Sequence, residues 1–422
     1  MPKTYKYDFC ITGGGPAGCA AAYIAAKSGL KCALIEKNNY LGGLMTGGLV
    51  IPVMKSVDSK LNRDFYFKLI SAAKKYDAQI EYFDGNKGWF NPAVLKIVLD
   101  SLMKEANVDV FFEMTPVFVK KNSDKVKKIK FSSNILSLYI EAKYYLDSTG
   151  DSKIFKLLNE KFYDEKSKKQ PASLRFIMEN VNIDKLKNFL LKIDSNFDVT
   201  NYAYINNELH LTSACTWDDK GWNLKFLFDK ALKEGDLLPF DTSYFQIFTV
   251  AGSKSSIAFN CPRLRDFDPD NPLDYSNSII EARASIFRIA AFMKKYFDGF
   301  ENASISQIAD LTGIRESNKI IAKKQFTKAD ILNADIPENP VLEADYPIDI
   351  HSNEKNSSTL LEIGKYYLDF NSLISKNYTN LFAAGRNLGA DSYAQSALRI
   401  QSCCMSMGEA VANHVVSIIN NC

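Results

Sequence analysis

Residues 7–37, YDFCITGGGPAGCAAAYIAAKSGLKCALIEK, constrain this chain more than any other stretch. Phe9, Cys10 and Ile11 form a short apolar run, the pattern of a buried strand. Gly13, Gly14 and Gly15 break it, Gly18 follows, and an alanine-rich segment from Ala17 to Lys27 continues at helical spacing. A second strand signal, from Lys31 to Ile35, ends at Glu36. Strand, glycine turn, helix, strand and terminal acid compose a βαβ unit with the dinucleotide fingerprint Gly13-x-Gly15-x-x-Gly18. Gly13 permits the tight turn, Gly15 lets backbone approach a pyrophosphate, and Gly18 lets helix and strand pack closely. The helix start offers free N–H groups and a positive dipole end to the phosphates. Glu36 can accept hydrogen bonds from a ribose 2′-OH and would repel a 2′-phosphate, which disfavours NADP. A lone glycine fingerprint is weak, but here every flanking part falls at the right spacing. The motif alone does not separate FAD from NAD.

The 422 residues exceed one ordinary domain, so a two-domain α/β chain is expected. With 52 basic and 49 acidic side chains the formal charge is only +3, which argues against nucleic acid as a partner. No apolar run reaches the roughly 20 residues of a membrane helix, and the N-terminus carries no signal pattern. The eight cysteines (10, 19, 32, 215, 261, 403, 404 and 422) show no CxxC or metal spacing. They fit reduced thiols in a cytoplasmic protein. With three histidines, at 210, 351 and 414, no histidine-rich metal site is expected.

After Glu36, YLGGLMTGGL at residues 40–49 makes a second close-approach loop, too glycine-rich for a helix. Helical patterns follow at 61–76 and 92–105, the latter with Asn91 as N-cap and Pro92 in the first turn. Strand signals lie at 108–112, 116–120, 126–131, 136–142 and 144–146, the last running into Asp147-Ser-Thr-Gly-Asp151. From about Ser152 to Asp349 the glycine motifs stop; strands are expected at 245–250 and 256–260, and a long amphipathic helix at 276–297. Then NLFAAGRN, residues 380–387, is a strand entering a glycine turn, and 392–419 has the pattern of one long helix.

Three separated stretches resemble one family. They are GGGPAG…LIEK…LGGLMTGGLV, LDSTGD, and LTGIRES…FTKADIL with YPIDIH and NLFAAGRNLGAD…ALR…CMSMG. Together they are similar to the FAD-dependent oxidoreductases with a glutathione-reductase-like FAD domain, over most of the chain. The resemblance implies an α/β fold, with a Rossmann-like FAD-binding domain at 1–151 and 366–422. An inserted α+β substrate domain at 152–365 would roof it. By this likeness Gly13, Gly15, Pro16, Ala17 and Gly18 would hold the pyrophosphate, and Glu36 with Lys37 the adenosine ribose. Gly43, Leu44, Met45 and Thr46 would pass beside the flavin, and Val117 would lend its backbone to the adenine. Thr149, Gly150 and Asp151 would close the nucleotide side, while Gly385, Arg386 and Asp391 would meet the ribityl–phosphate portion. The helix beginning near Ser392, with Ala397 and Leu398, would aim its N-terminus at the flavin's N1–O2 edge, where reduction places negative charge. The sequence departs from the family pattern at Asp369-Phe370-Asn371, Gln395-Ser396 and Asn318-Lys319, all on the substrate side.

Three residues stand out for catalysis: Arg315, His351 and Gln395. Arg315 could bind a carboxylate or the reduced flavin's charge, or form a structural pair with Glu316. His351 could act as acid or base, the usual office of a histidine near neutral pH, or could be a hydrogen-bonded structural residue. Gln395 could hydrogen-bond the flavin edge or the substrate. Arg399 could brace the flavin loop or be a helix salt-bridge partner, with the structural reading favoured, and Cys403-Cys404 is expected to be a packing pair on a helix. The expected function is hydride transfer between FAD and a small organic substrate. The alternative is an electron-carrying or sensing flavoprotein that docks on a partner; a tRNA-modifying flavoenzyme is disfavoured by the near-neutral charge.

Overall fold

Around the glycine turn, a computed structural model describes residues 2–57, 59–82, 85–163, 169–215, 223–265, 268–351 and 358–421. Strand β1 (Lys3–Thr12), helix α1 (Pro16–Lys27) and strand β2 (Cys32–Ile35) form the βαβ unit. β1 and β2 pair in parallel, Phe9 opposite Cys32 and Thr12 opposite Ile35. β1 is buried on both faces: Phe9 and Ile11 enter one apolar cluster with α1, and Cys10 enters another with Phe131 and Tyr145. A parallel strand covered on both sides explains why its sequence is a continuous apolar run. Each such fully buried side chain contributes about 1.5–3 kcal/mol.

The parallel sheet runs in the order Asp109–Phe111, β2, β1, Ser137–Asp147, with Leu381–Ala383 parallel to the end of that last strand. The two strand signals expected at 136–142 and 144–146 are one strand of 11 residues. Its first part pairs with Lys125–Ser132 of an antiparallel hairpin, and its last residues with Leu381–Ala383. Such a strand brings the ends of residues 12, 35, 147 and 383 to one edge of the sheet, where ligands of open α/β folds bind.

A six-stranded antiparallel sheet takes the order Thr200–Ile205, Glu208–Cys215, Phe245–Thr249, Ile257–Phe259, Phe176–Glu179, Ser304–Ile308. Helices Lys225–Glu234 and Pro272–Tyr296 are tied to it by an aromatic cluster: Phe228 meets Phe245 and Phe292, and Phe245 meets Phe297. Phe176 and Phe259 stack on neighbouring strands with centroids 4.2 Å apart. This sheet is joined to the parallel layer over the 43–50 loop. Leu311 N–H donates to the Gly47 carbonyl at 3.0 Å, and the Arg175 guanidinium to the carbonyls of Leu49 and Ile51.

Residues after 318 turn back to the C-terminal segment. Lys319–Ile320 pairs with Phe162–Tyr163, Ala322 bridges Ser375, Phe326 bridges Ala390, and Pro340–Ala344 pairs with Tyr366–Asp369. Among the described residues no helix is long and apolar enough to cross a membrane, and no group of three or more His, Cys, Asp or Glu side chains is placed to hold a metal ion.

Candidate cofactor and substrate cleft

The three glycines of the fingerprint differ in what surrounds them. Gly13 takes φ +105°, and a Cβ there would lie 2.5 Å from the Ser148 carbonyl oxygen. A Cβ on Gly18 would sit 1.8 Å from the Gly13 oxygen. Gly15 is the opposite case: nothing lies within 4 Å of its absent Cβ, so it faces open cleft. As N-cap of α1 it supplies no capping side chain, which leaves first-turn N–H groups for a ligand. This cradle has the form a pyrophosphate requires.

Glu36 is buried beside it and braces the turn. Its Oε2 accepts from Gly14 N–H at 2.6 Å, and its Oε1 from Asn38 N–H at 2.9 Å and from the Asn38 amide. The cleft is lined here by Gly13, Gly15, Pro16, Ala17, Glu36, Lys37 and Asn38, then by Met114, Thr115 and Pro116. Val117 lies one residue beyond that lining and is 44% exposed.

Gly43 and Leu44 line the next stretch as part of a short 3₁₀ turn, Gly43–Met45, where an irregular loop was expected. Met45 and Thr46 point into the interior instead; Thr46 Oγ1 donates to the Leu41 carbonyl. Opposite stand Thr149, Gly150 and Asp151, positioned by buried Asp147, which accepts from Thr149 N–H, Thr149 Oγ1 and Ile154 N–H. Gly385 and Arg386 close that side, and Arg386 ties down Asp151 at 2.6 Å and the Gly150 carbonyl. Burial pushes the Asp151 carboxyl up, yet Arg386, Lys37 and Lys153 outweigh it and hold it below the usual range.

The single C-terminal helix expected from 392 is two helices, Ser392–Leu398 and Gln401–Asn420, with Ile400 extended between them at φ −62°, ψ 149°. The helix start facing the cleft is therefore not that of Ser392. Asp391 already caps it, accepting from Ala394 N–H and from Lys328 N–H, away from the lining. Ala397 and Leu398 are buried behind the cleft. Arg399, Gln401 and Cys404 line it, at the uncapped start of the second helix. That helix lies close on α1 because Gly408 lacks a Cβ, which would come 2.0 Å from the Ala17 carbonyl oxygen.

At the end covered by the antiparallel sheet, Ser173, Arg175, Tyr275 and residues 311–315 complete the lining. Arg315 lines the cleft and donates to the Pro171 carbonyl at 2.6 Å and to Ser173 Oγ at 3.0 Å. It does not pair with Glu316, which holds Lys319 at 2.6 Å and Ser392 instead. Gln395 is fully buried off the lining; its amide donates to the Arg315 and Arg386 carbonyls, so it positions those two residues. His351 is also off the lining. Its Nδ1 accepts from Arg263 Nη2 at 2.7 Å, and its Nε2 lies 3.3 Å from Asp349 Oδ2. Both ring nitrogens are thus engaged, and burial, then the Arg315 charge, holds the imidazole neutral, well below its ordinary range, despite Asp349. The expected acid–base role finds no free ring atom here. Of the substrate-side departures, Asp369 caps the 3₁₀ turn of residues 370–372, Lys319 sits in the Glu316 pair, and the Asn318 carbonyl accepts from Ser152.

Arg175 and Arg263 were not among the expected site residues, and for Arg399 the structural reading was favoured. Arg175 interrupts an apolar run, Leu174 before it and Phe176 and Ile177 after, and a cation inside a buried strand pattern was the available signal. Burial, then the Arg399 charge, pushes Arg175 down to about 10; burial with Arg265 and Arg399 does the same to Arg263. The Arg263 guanidinium carbon stands over Tyr244, 3.9 Å from the ring centre. Cys403 and Cys404 are buried free thiols, each pushed up to about 12 by burial.

The family model described as FAD dependent oxidoreductase matches residues 8–420. Thiamine thiazole synthase of Pyrococcus abyssi is 30% identical over 155 residues, 34% of this chain and 58% of that protein. Digeranylgeranylglycerophospholipid reductase of Thermoplasma acidophilum is 28% identical over 155 residues, 34% of this chain and 39% of that one. The matched part is thus less than two thirds of either relative's length. Among solved structures, a myxobacterial chondrochloren halogenase gives a TM-score of 0.48 at 10% identity, covering 100% of this chain and 76% of that one. A geranylgeranyl bacteriochlorophyll reductase-like protein of Thermoplasma acidophilum gives 0.46 at 13% identity, covering 99% and 80%. The family match runs almost from end to end; FAD is the cofactor, and the chain belongs to the FAD dependent oxidoreductase family.

Proposed function

We propose that the protein transfers a hydride between FAD and a small organic substrate bound beneath the antiparallel sheet. One observation carries this reading: a single cleft is lined both by the glycine turns of the parallel sheet and by Ser173, Arg175, Tyr275 and residues 311–315. A nucleotide site alone needs only the first set. In this reading residues 1–151 and 366–422 hold the cofactor and 152–365 form the roof that keeps water from the reacting atoms. Gly13, Gly15, Pro16, Ala17, Glu36, Lys37, Gly43, Leu44, Thr149, Gly150, Asp151, Gly385 and Arg386 are the residues that hold FAD. Bound FAD supplies the acceptor, or donor, of the substrate's hydride. The uncapped start of the Gln401–Asn420 helix offers N–H groups and a positive dipole end to negative charge in the cleft. Arg315, through Pro171 and Ser173, fixes the wall between cofactor and roof.

The test is an anaerobic screen of small-metabolite pools for bleaching of the flavin's visible absorbance. The expected result is bleaching by a narrow chemical class. A flavin that no small molecule reduces, but that a protein partner does, would favour the electron-carrier reading instead.

A further inference from the structure

Arg315 lies within electrostatic reach of the guanidinium groups of Arg175, Arg263 and Arg399, and Arg399 within reach of Arg175 and Arg263. Three of them line the cleft, and Arg263 stands behind, fully buried. Among the described residues, Arg399 approaches the Asp349 carboxylate at 3.5 Å, while Arg175, Arg263 and Arg315 form no salt bridge. The Asp349 carboxylate is also within electrostatic reach of Arg263 and Arg315 and is shared further with His351 and Tyr346, so one negative charge faces several cations. Donors are left over as well. Arg263 Nε and Nη1 and Arg399 Nε are buried with no partner, and the hydrogen bonds of Arg175 use Nη1 alone. A buried cation without a counter-charge is strongly unfavourable, and a protein keeps such a group where a ligand supplies the charge.

That ligand is not the FAD pyrophosphate. None of the four arginines hydrogen-bonds the glycine turn, Glu36 or the Thr149–Asp151 turn, and three of them come from residues 152–365. Planar guanidinium forks suit carboxylates bidentately, and several uncompensated cations call for more than one negative charge. We propose that the substrate is a small dicarboxylate, held under the antiparallel sheet by Arg175, Arg315 and Arg399, with Arg263 completing the positive field from behind. The proposal rests on the flavoenzyme reading above and names its substrate class.

The oxidised, FAD-loaded protein is titrated with malonate, succinate, fumarate and glutarate, with the matching neutral diamides, and with inorganic phosphate. Perturbation of the flavin absorbance and the thermal midpoint are followed. At least one dicarboxylate is expected to bind at about 1 mM or below, and at least tenfold more tightly than its diamide and than phosphate. Arg175→Gln and, separately, Arg399→Gln should each weaken that binding by roughly tenfold or more while FAD content is kept. FAD content and thermal midpoint identify a variant that fails to fold, and the other variant then decides. Equal binding of diamide and diacid, phosphate binding as tightly as the diacids, or no diacid binding overturns the assignment. If a neutral metabolite bleaches the flavin while diacids neither bind nor compete, the substrate class fails and the flavoenzyme reading stands. If diacids bind as expected and no organic compound exchanges electrons with the flavin, the reverse holds.

Discussion

At the residue scale, Gly15 and Gly18 separate binding from folding. A Cβ on Gly18 collides with backbone 1.8 Å away, whereas a Cβ on Gly15 meets only open cleft. Gly15→Val is therefore expected to fold with a thermal midpoint close to that of the unchanged apoprotein. It should lose FAD affinity by roughly tenfold or more, because the side chain fills the phosphate cradle. Gly18→Val should fail to accumulate as folded protein. FAD released on heat denaturation, measured by chromatography beside circular dichroism of the apoproteins, checks both. A yellow Gly15→Val protein with full FAD content contradicts the assignment. The acid after β2 was legible because its charge and spacing are local. That its carboxylate holds Gly14 N–H and Asn38 was not, because it depends on where the turn lands in space.

At the scale of elements, what failed to show in the sequence was set by partners far along the chain. Residues 397–401, Ala-Leu-Arg-Ile-Gln, contain neither glycine nor proline, so nothing local announces the break between the two last helices. It coincides with distant partners: Tyr366 donates to the Ala397 carbonyl at 3.4 Å, and Arg399 reaches the Asp349 carbonyl at 3.1 Å. The consequence is chemical, since the break turns a second, uncapped helix start toward the cleft. The parallel strands and α1 were legible for the converse reason. Their apolar runs, glycine turn and N-terminal Pro16 are local signals. The arginine cluster lay between these cases. Arg175 breaks a local pattern, while the convergence of Arg175, Arg263, Arg315 and Arg399 exists only once four separate segments meet.

At the scale of the whole molecule, the same burial that shapes the cleft sets the response to acid. His210, His351 and His414 are all held below their ordinary range, burial being the first cause in each. Below the ordinary histidine value of about 6.5 the unfolded chain binds protons that the folded protein does not, so stability falls as pH drops through that value. Each histidine contributes at most about 1.4 kcal/mol per pH unit. Burial raises Asp147 and Glu409, which act in the opposite sense in the range just above the ordinary carboxylate value. The thermal midpoint is expected to fall between pH 7.5 and pH 5.5, and less steeply in His351→Gln; a flat profile contradicts the burial of these rings. The chain carries one dinucleotide fingerprint, which the proposed reading gives to FAD, and the antiparallel layer brings Arg175 and Arg315 to the cleft with no second fingerprint. We propose that a small organic substrate, not a nicotinamide, exchanges hydride with the flavin beneath that layer. Anaerobic stopped-flow mixing of the oxidised protein with NADH, NADPH and the bleaching metabolite tests it most directly. Slow, non-saturating reduction by both nicotinamides beside fast, saturable reduction by the metabolite is the predicted result; rapid, saturable bleaching by NADH would contradict it.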